Sequence, residues 1–147
     1  MAATFTLITE CPASAAEMFD VSLDIDAHVD SMSSSQELAI DGVTTGRIGL
    51  GQTVTWRARH FGIWFEMTST ITTLDRPHHF IDEQVSGPFK SYSHEHFFED
   101  IPSGCRMIDT VTVANPVFGF IADRLVLVPY LRRLMIKRNR ALIRLVG

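Results

Sequence analysis

From residue 51 to residue 114 apolar and polar positions alternate with a period of two, the mark of half-buried strands. "GQTVTWRARH" sets Val54, Trp56 and Ala58 against Thr53, Thr55, Arg57 and Arg59. Phe61-Gly62 reads as a turn, and "IWFEMTSTITTLD" resumes the extended pattern in Thr, Ile and aromatic residues. Arg76-Pro77 breaks it, "HHFIDEQVS" restarts it, and Gly87-Pro88 breaks it again. "SYSHEHFFED", the "IPSG" turn at 101–104 and "CRMIDTVTVAN" complete five strands joined by short turns, an antiparallel meander. Ahead of it, residues 4–10 and 36–41 predict short strands. Between those, Ser14 followed by Glu17 signals a capped helix with Met18 and Phe19 on its apolar face. "IDAHVDSM" predicts a second short helix entered from Asp24 or Asp26. After Pro116 the period becomes helical, through Phe118, Ile121, Leu125, Val128, Leu131, Leu134, Met135, Leu142 and Leu145, with a kink expected at Pro129. The order β–α–α–β–β–β–β–β–β–α is that of an α+β domain.

Antiparallel partners face the same side of a sheet, so each turn fixes a register. Pivoting on Phe61-Gly62 pairs Trp56 with Met67 and Ala58 with Phe65, and on the opposite face Arg57 with Glu66 as an exposed salt bridge. The later turns bring Ser69 to Gln84, Ile71 to Asp82, Asp82 to His94 or His96, His96 to Asp109 and Phe98 to Met107. One face is therefore large and apolar, with Asp82, His94, His96 and Asp109 as a polar row inside it. The final helix is the only element long enough to cover that face, an arrangement that leaves room for a cavity.

Composition changes this picture little. The 147 residues are 46% hydrophobic and 20% charged, enough for one domain, residues 1–147, with a sizeable core. A net charge of −4 argues against a general nucleic-acid binder. Neither a secretory signal nor a membrane span is legible, so a soluble, cytoplasmic chain is expected. Residues 132–144 carry Arg132, Arg133, Lys137, Arg138, Arg140 and Arg144 and no acid, which reads as the solvated face of the last helix.

The candidate chemistry lies in "SYSHEHFFED". His-x-His on a strand places both imidazoles on one face about 7 Å apart, a spacing that suits a metal with Asp82 or Asp109 as third ligand. A His–Asp pair can also serve as a base, yet no nucleophile is placed beside it. The expected role is the polar patch of an apolar pocket, with no metal and no cofactor. His78 and His79 open a strand after a proline turn and are expected exposed.

"CPASAAEMFDVSLD" after the first strand, "GPFKSYSHEHFFED", "MIDTVTVANPVFGFIADRLVLVPYLRRLMIKRNRAL" and the element order resemble the SRPBCC superfamily, the START-like, birch-pollen-allergen-like helix-grip proteins, and within it the bacterial ligand-binding or polyketide cyclase/dehydrase-like branch. The resemblance spans essentially the whole chain. It implies a seven-stranded antiparallel sheet wrapped around the C-terminal helix, two short helices after the first strand, and a cavity for a small hydrophobic ligand. The expected lining is Trp56, Phe65, Met67, Phe80, Asp82, Tyr92, His94, His96, Phe98, Asp109, Phe118, Ile121, Leu125 and Leu131. The expected function is non-enzymatic binding or carriage of a lipid, polyketide or related molecule by a monomer or homodimer. A cyclase or dehydratase using His94, His96, Asp109 and Asp82, and a protein- or RNA-interaction module using the basic helix, are the alternatives. In the helix-grip fold the first and last strands pair, which sets Cys11 beside Cys105 as neighbouring, unbonded thiols.

Overall fold

A computed structural model describes residues 2–114 and 123–146. Strand β1 (Ala3–Cys11) leads to helices α1 (Ala15–Ser22) and α2 (Ile25–Ser31) and a 3-10 turn at Ser33–Ser35. Strands β2 (Leu38–Gly42), β3 (Thr53–His60), β4 (Ile63–Asp75), β5 (His79–Ser86), β6 (Ser91–Ile101) and β7 (Gly104–Ala114) follow. A π-helical turn, Asp123–Leu127, then opens helix α3 (Val128–Val146). The seven strands form one antiparallel sheet in the order β1-β7-β6-β5-β4-β3-β2.

Local chemistry sets the boundaries. The Glu17 amide donates to Ser14 Oγ at 3.2 Å, and the Ala27 amide to Asp24 Oδ1 at 3.0 Å, so each short helix starts on a side-chain cap. The second strand begins at Leu38 rather than at residue 36, because Gln36 ends the 3-10 turn in the left-handed region (φ 54°). Pro129 stands just after the π-helical turn Asp123–Leu127, where the helical ladder changes from π to α.

The turn-derived register holds throughout: Trp56↔Met67, Ala58↔Phe65, Ser69↔Gln84, Ile71↔Asp82, Asp82↔His94, His96↔Asp109 and Phe98↔Met107. A bulge at Val85 in β5, opposite Thr68 and Ser69, and another at Thr72 in β4 shift the pairing on either side of these residues. Arg57 does face Glu66, but among the described residues no ion pair joins them. The Arg57 guanidinium lies over the Trp64 ring instead, 4.5 Å from its centroid.

The covering layer is not α3 alone. Helix α1 packs on one end of the sheet, where Phe19 sets its edge against Phe80 (5.5 Å between centroids) and Phe98 (5.4 Å). With Met18, Met107 and Leu142 they form a close-packed cluster. Leu131, Leu134 and Met135 of α3 meet Phe5, Leu7, Met32, Val111 and Val113 in a second. Cys11 and Cys105 are register partners with their sulfurs 3.2 Å apart, buried and unbonded. The backbone is tight here: a Cβ at Gly104 (φ 144°) would fall 2.0 Å from the Cys11 carbonyl oxygen.

Candidate functional site

Between the sheet and the first half of α3 lies a cavity of about 420 Å3. Trp56, Ala58, Phe65 and Met67 of β3 and β4 form one wall, with Tyr92, His94 and His96 of β6 and Asp82 of β5 beside them. Helix α3 adds Leu131, Leu134, Met135 and Arg138. Its rim is the exposed Phe61 at the β3–β4 turn with the half-buried Phe89 after β5, Leu127 and Tyr130.

The polar row is a connected network on the cavity wall. His94 Nε2 lies 2.8 Å from Asp109 Oδ1, and His96 Nε2 lies 2.8 Å from Asp82 Oδ2. These bonds run diagonally rather than straight across, because long side chains reach the j±2 neighbour on a twisted sheet. His96 Nδ1 sits 3.3 Å from Asp109 Oδ1 but off the hydrogen-bonding direction, so this buried atom has no partner among the described residues. The two imidazoles stack at 3.7 Å, far closer than the strand spacing suggests. Asn139 Nδ2 donates to Asp109 Oδ2 at 2.9 Å and to Thr9 at 3.1 Å. Arg138, 3% exposed, reaches to 3.9 Å of Asp109 Oδ1 and donates to Asn139 Oδ1.

The protonation states follow from burial and these bonds. Burial, helped by His96 alongside, pulls the His94 pKa to about 4 against the opposing hydrogen bond to Asp109. Burial pushes the Asp109 carboxyl up, but the His94 hydrogen bond and the His96 imidazole alongside outweigh this and hold it well below the usual range. For Asp82, too, burial is outweighed by the His96 bond and by nearby positive charge, Arg138 included. An ionised carboxylate only accepts, so neutral His94 carries its proton on Nε2 and keeps Nδ1 as an acceptor. Burial, reinforced by the Asp82 charge, raises the Tyr92 hydroxyl, which stays protonated.

Asp82, His94 and His96 also place three ligand atoms within 4.8 Å of one another, a donor set for a divalent ion. Both imidazoles are already hydrogen-bonded to carboxylates, and the Arg138 cation adjoins the group. Those bonds engage only the Nε2 atoms and leave both Nδ1 atoms without a hydrogen-bond partner among the described residues, so what opposes an incoming ion is the adjoining Arg138 charge.

Of the residues expected at the site, Trp56, Phe65, Met67, Asp82, Tyr92, His94, His96 and Leu131 line the cavity. Phe80 and Phe98 do not line it: α1 covers them, and they belong to the close-packed cluster around Phe19, Phe80 also bordering a recess of about 50 Å3. Asp109 lies behind the histidines. Leu125 is 72% exposed and points away from the core. Phe118 and Ile121 lie outside the described residues. His79 is half-buried rather than exposed, stacked on Phe97 at 4.2 Å and 3.0 Å from Glu95.

Several lining residues escape the sequence reading, His60, Arg138, His28 and Glu37 among them. His60, bonded to Tyr130, continues the Val54-Trp56-Ala58 alternation and was legible there. Arg138 was legible too, for it falls in phase with Leu131, Leu134, Met135 and Leu142. His28 and Glu37, 2.7 Å apart with His28 stacked on Trp56, reach the cavity through the docking of α2, which no local pattern announces.

No family model and no curated protein matches the sequence. The architecture does match solved structures. Ara h 8.0201 is similar over 99% of this chain and 98% of its own, at TM-score 0.74 and 13% identity. Protein Ms6760 from Mycobacterium smegmatis is similar over 98% of this chain and 90% of its own, at 0.76 and 17%. Zhui aromatase/cyclase from Streptomyces sp. R1128 is similar over 97% of this chain and 92% of its own, at 0.76 and 16%. With its seven strands curled around α3, the chain has the helix-grip fold of the START-like, birch-pollen-allergen-like proteins.

Proposed function

We propose that the chain binds and carries a small, predominantly apolar molecule with an oxygenated end. The observation that carries this reading is a cavity of about 420 Å3, apolar on most of its wall, with a polar network confined to one side. Apolar pockets with a few convergent polar groups are the usual form of small-molecule sites. The apolar body packs against Trp56, Phe65, Met67 and Met135, and the oxygenated end faces Asp82, His96 and Arg138.

Carriage is preferred to turnover because among the described residues no serine or cysteine lines the cavity beside the histidines. A second reading, an enzyme of the cyclase or dehydratase kind, is favoured by one observation. His94 is held neutral and oriented by an ionised Asp109, which is how a general base is built. The similarity to an aromatase/cyclase supports the same reading.

Native mass spectrometry of the purified chain, with displacement of an apolar fluorescent dye, tests the proposal. Binding predicts a co-purifying small molecule or a dye that Ala58→Leu excludes. A chain that takes up no dye and shows no added mass sinks it. Turnover of a poly-β-ketone mimic that disappears in His94→Asn replaces carriage with the second reading.

A further inference from the structure

The rim of the cavity and the outer face of α3 carry a surface that binding inside the cavity does not require. Phe61 occupies the first central position of the β3–β4 turn with φ 53°, followed by Gly62 at φ 76°. Asn or Gly takes that backbone conformation at little cost, whereas a bulky side chain does not. Phe61 is nonetheless there, 64% exposed and leaning on Tyr130 at 4.5 Å. Ile63 (58%), Leu125 (72%) and Val126 (58%) stand exposed on the same turn and just before α3.

Basic residues adjoin this apolar edge. Arg133, Lys137, Arg140 and Arg144 recur at spacings of four, three and four, one stripe on the side of α3 opposite its buried positions. Among the described residues none of them forms an ion pair, and residues 125–146 contain no acid. Among the described residues neither acid of the flanking α2 pairs with the stripe: Asp26 is hydrogen-bonded to Thr45 and Gly46, and Asp30 makes no ion pair. On the hairpin, Arg57 and Arg59 lie over the exposed Trp64. In a chain of net charge −4 this is a local excess. Aromatic and aliphatic tips beside unpaired Lys and Arg match the interface of an anionic bilayer, where acyl chains lie just beneath phosphate groups.

We propose that the hairpin tip and the outer face of α3 dock on anionic phospholipid bilayers, which brings the cavity mouth against the lipid. Docking stands independently of the cavity reading, because it is measured without any cavity ligand. The test is co-sedimentation of the full chain with phosphatidylcholine vesicles, with and without phosphatidylglycerol. The chain is expected to pellet only with the anionic vesicles and to be released by added salt. Arg133→Gln and Lys137→Gln should each lower the partition about fivefold. Phe61→Asn, which suits the turn, should lower it while leaving the circular dichroism unchanged. Equal pelleting with neutral vesicles, no pelleting, or insensitivity to these variants overturns the proposal. So does retention of polyuridylate through the same stripe without vesicle binding, which would make the partner RNA.

Discussion

The two ends of the space between sheet and helices carry similar aromatic residues and have opposite fates. At one end Phe19, Phe80 and Phe98 interlock edge to face, and Met18, Met107 and Leu142 fill around them. At the other, Trp56, Phe65 and Met67 face a void. The difference is one element. Helix α1 supplies a second covering layer at the filled end, whereas the hollow one is spanned by the first half of α3 with only the edge of α2, through His28 and Met32, beside it. The cavity thus lies where the sheet's cover is thinnest, and composition alone does not decide which aromatic residues become lining.

The contrast breaks most visibly under truncation. Phe19→Ala should cost about 3–5 kcal/mol, since it removes a buried ring from a cluster that cannot collapse. Phe65→Ala, at a wall that is already half-open, should cost less than half as much. Urea denaturation of both variants checks this, and equal losses would mean that the two ends are packed alike.

The polar network separating the ends gives the next largest effect, in pH. The His94 pKa is depressed on folding from 6.5 to about 4, so the unfolded chain binds the extra proton in that window. Stability is therefore full above pH 6.5 and falls as pH drops through the window, by about 3 kcal/mol in all. Asp82 and Asp109, whose carboxyls are also lowered, extend the loss below their unfolded value of 3.8. Melting curves across this range should show the decline, and His94→Asn should flatten its upper part. A wild-type curve already flat there would falsify the protonation assignment.

Added bulk sharpens the comparison with a smaller effect. Ala15→Leu, at a fully buried position of α1, should cost about 1–3 kcal/mol through overpacking. Ala58→Leu projects into the cavity and should cost under about 1 kcal/mol. Paired thermal melts read the difference.

The cysteine pair gives the smallest. Burial and the Cys11 thiol alongside push Cys105 up to about 12, so its sulfur stays protonated and slow to react, and both cysteines are buried. Thiol titration of the native chain should proceed far more slowly than that of the urea-unfolded chain, which should yield two thiols.

The strands, their order and the inward face were readable because turn residues and two-fold alternation are local, and each turn fixes its own register. Trp56↔Met67 and His96↔Asp109 follow from counting outward from Phe61-Gly62 and from the 101–104 turn. What needed the structure was tertiary. Nothing near Phe80 or Phe98 in the sequence says that Phe19 will cover them. Nor does the spacing of His94 and His96 say that their hydrogen bonds cross to the diagonal carboxylates. Arg138 was hidden differently: its neighbours Lys137 and Arg140 made it look like one more surface charge, although its helical phase is that of the apolar residues.

The position of β1 has a consequence for the order in which the molecule assembles. Ala3 pairs with Val113 and Cys11 with Cys105, while every other strand pairs with its neighbour in the chain. The meander from β2 to β7 can therefore zip up hairpin by hairpin, but β1 waits for the last strand of the sheet. Contacts this distant in sequence are slow to form. At a ribosomal pace, the first nine-residue strand stays unpaired for on the order of ten seconds. During that interval its apolar side chains and backbone edge stay open to any other extended segment, which makes the N-terminal strand the point where assembly of this fold is most easily diverted into aggregation.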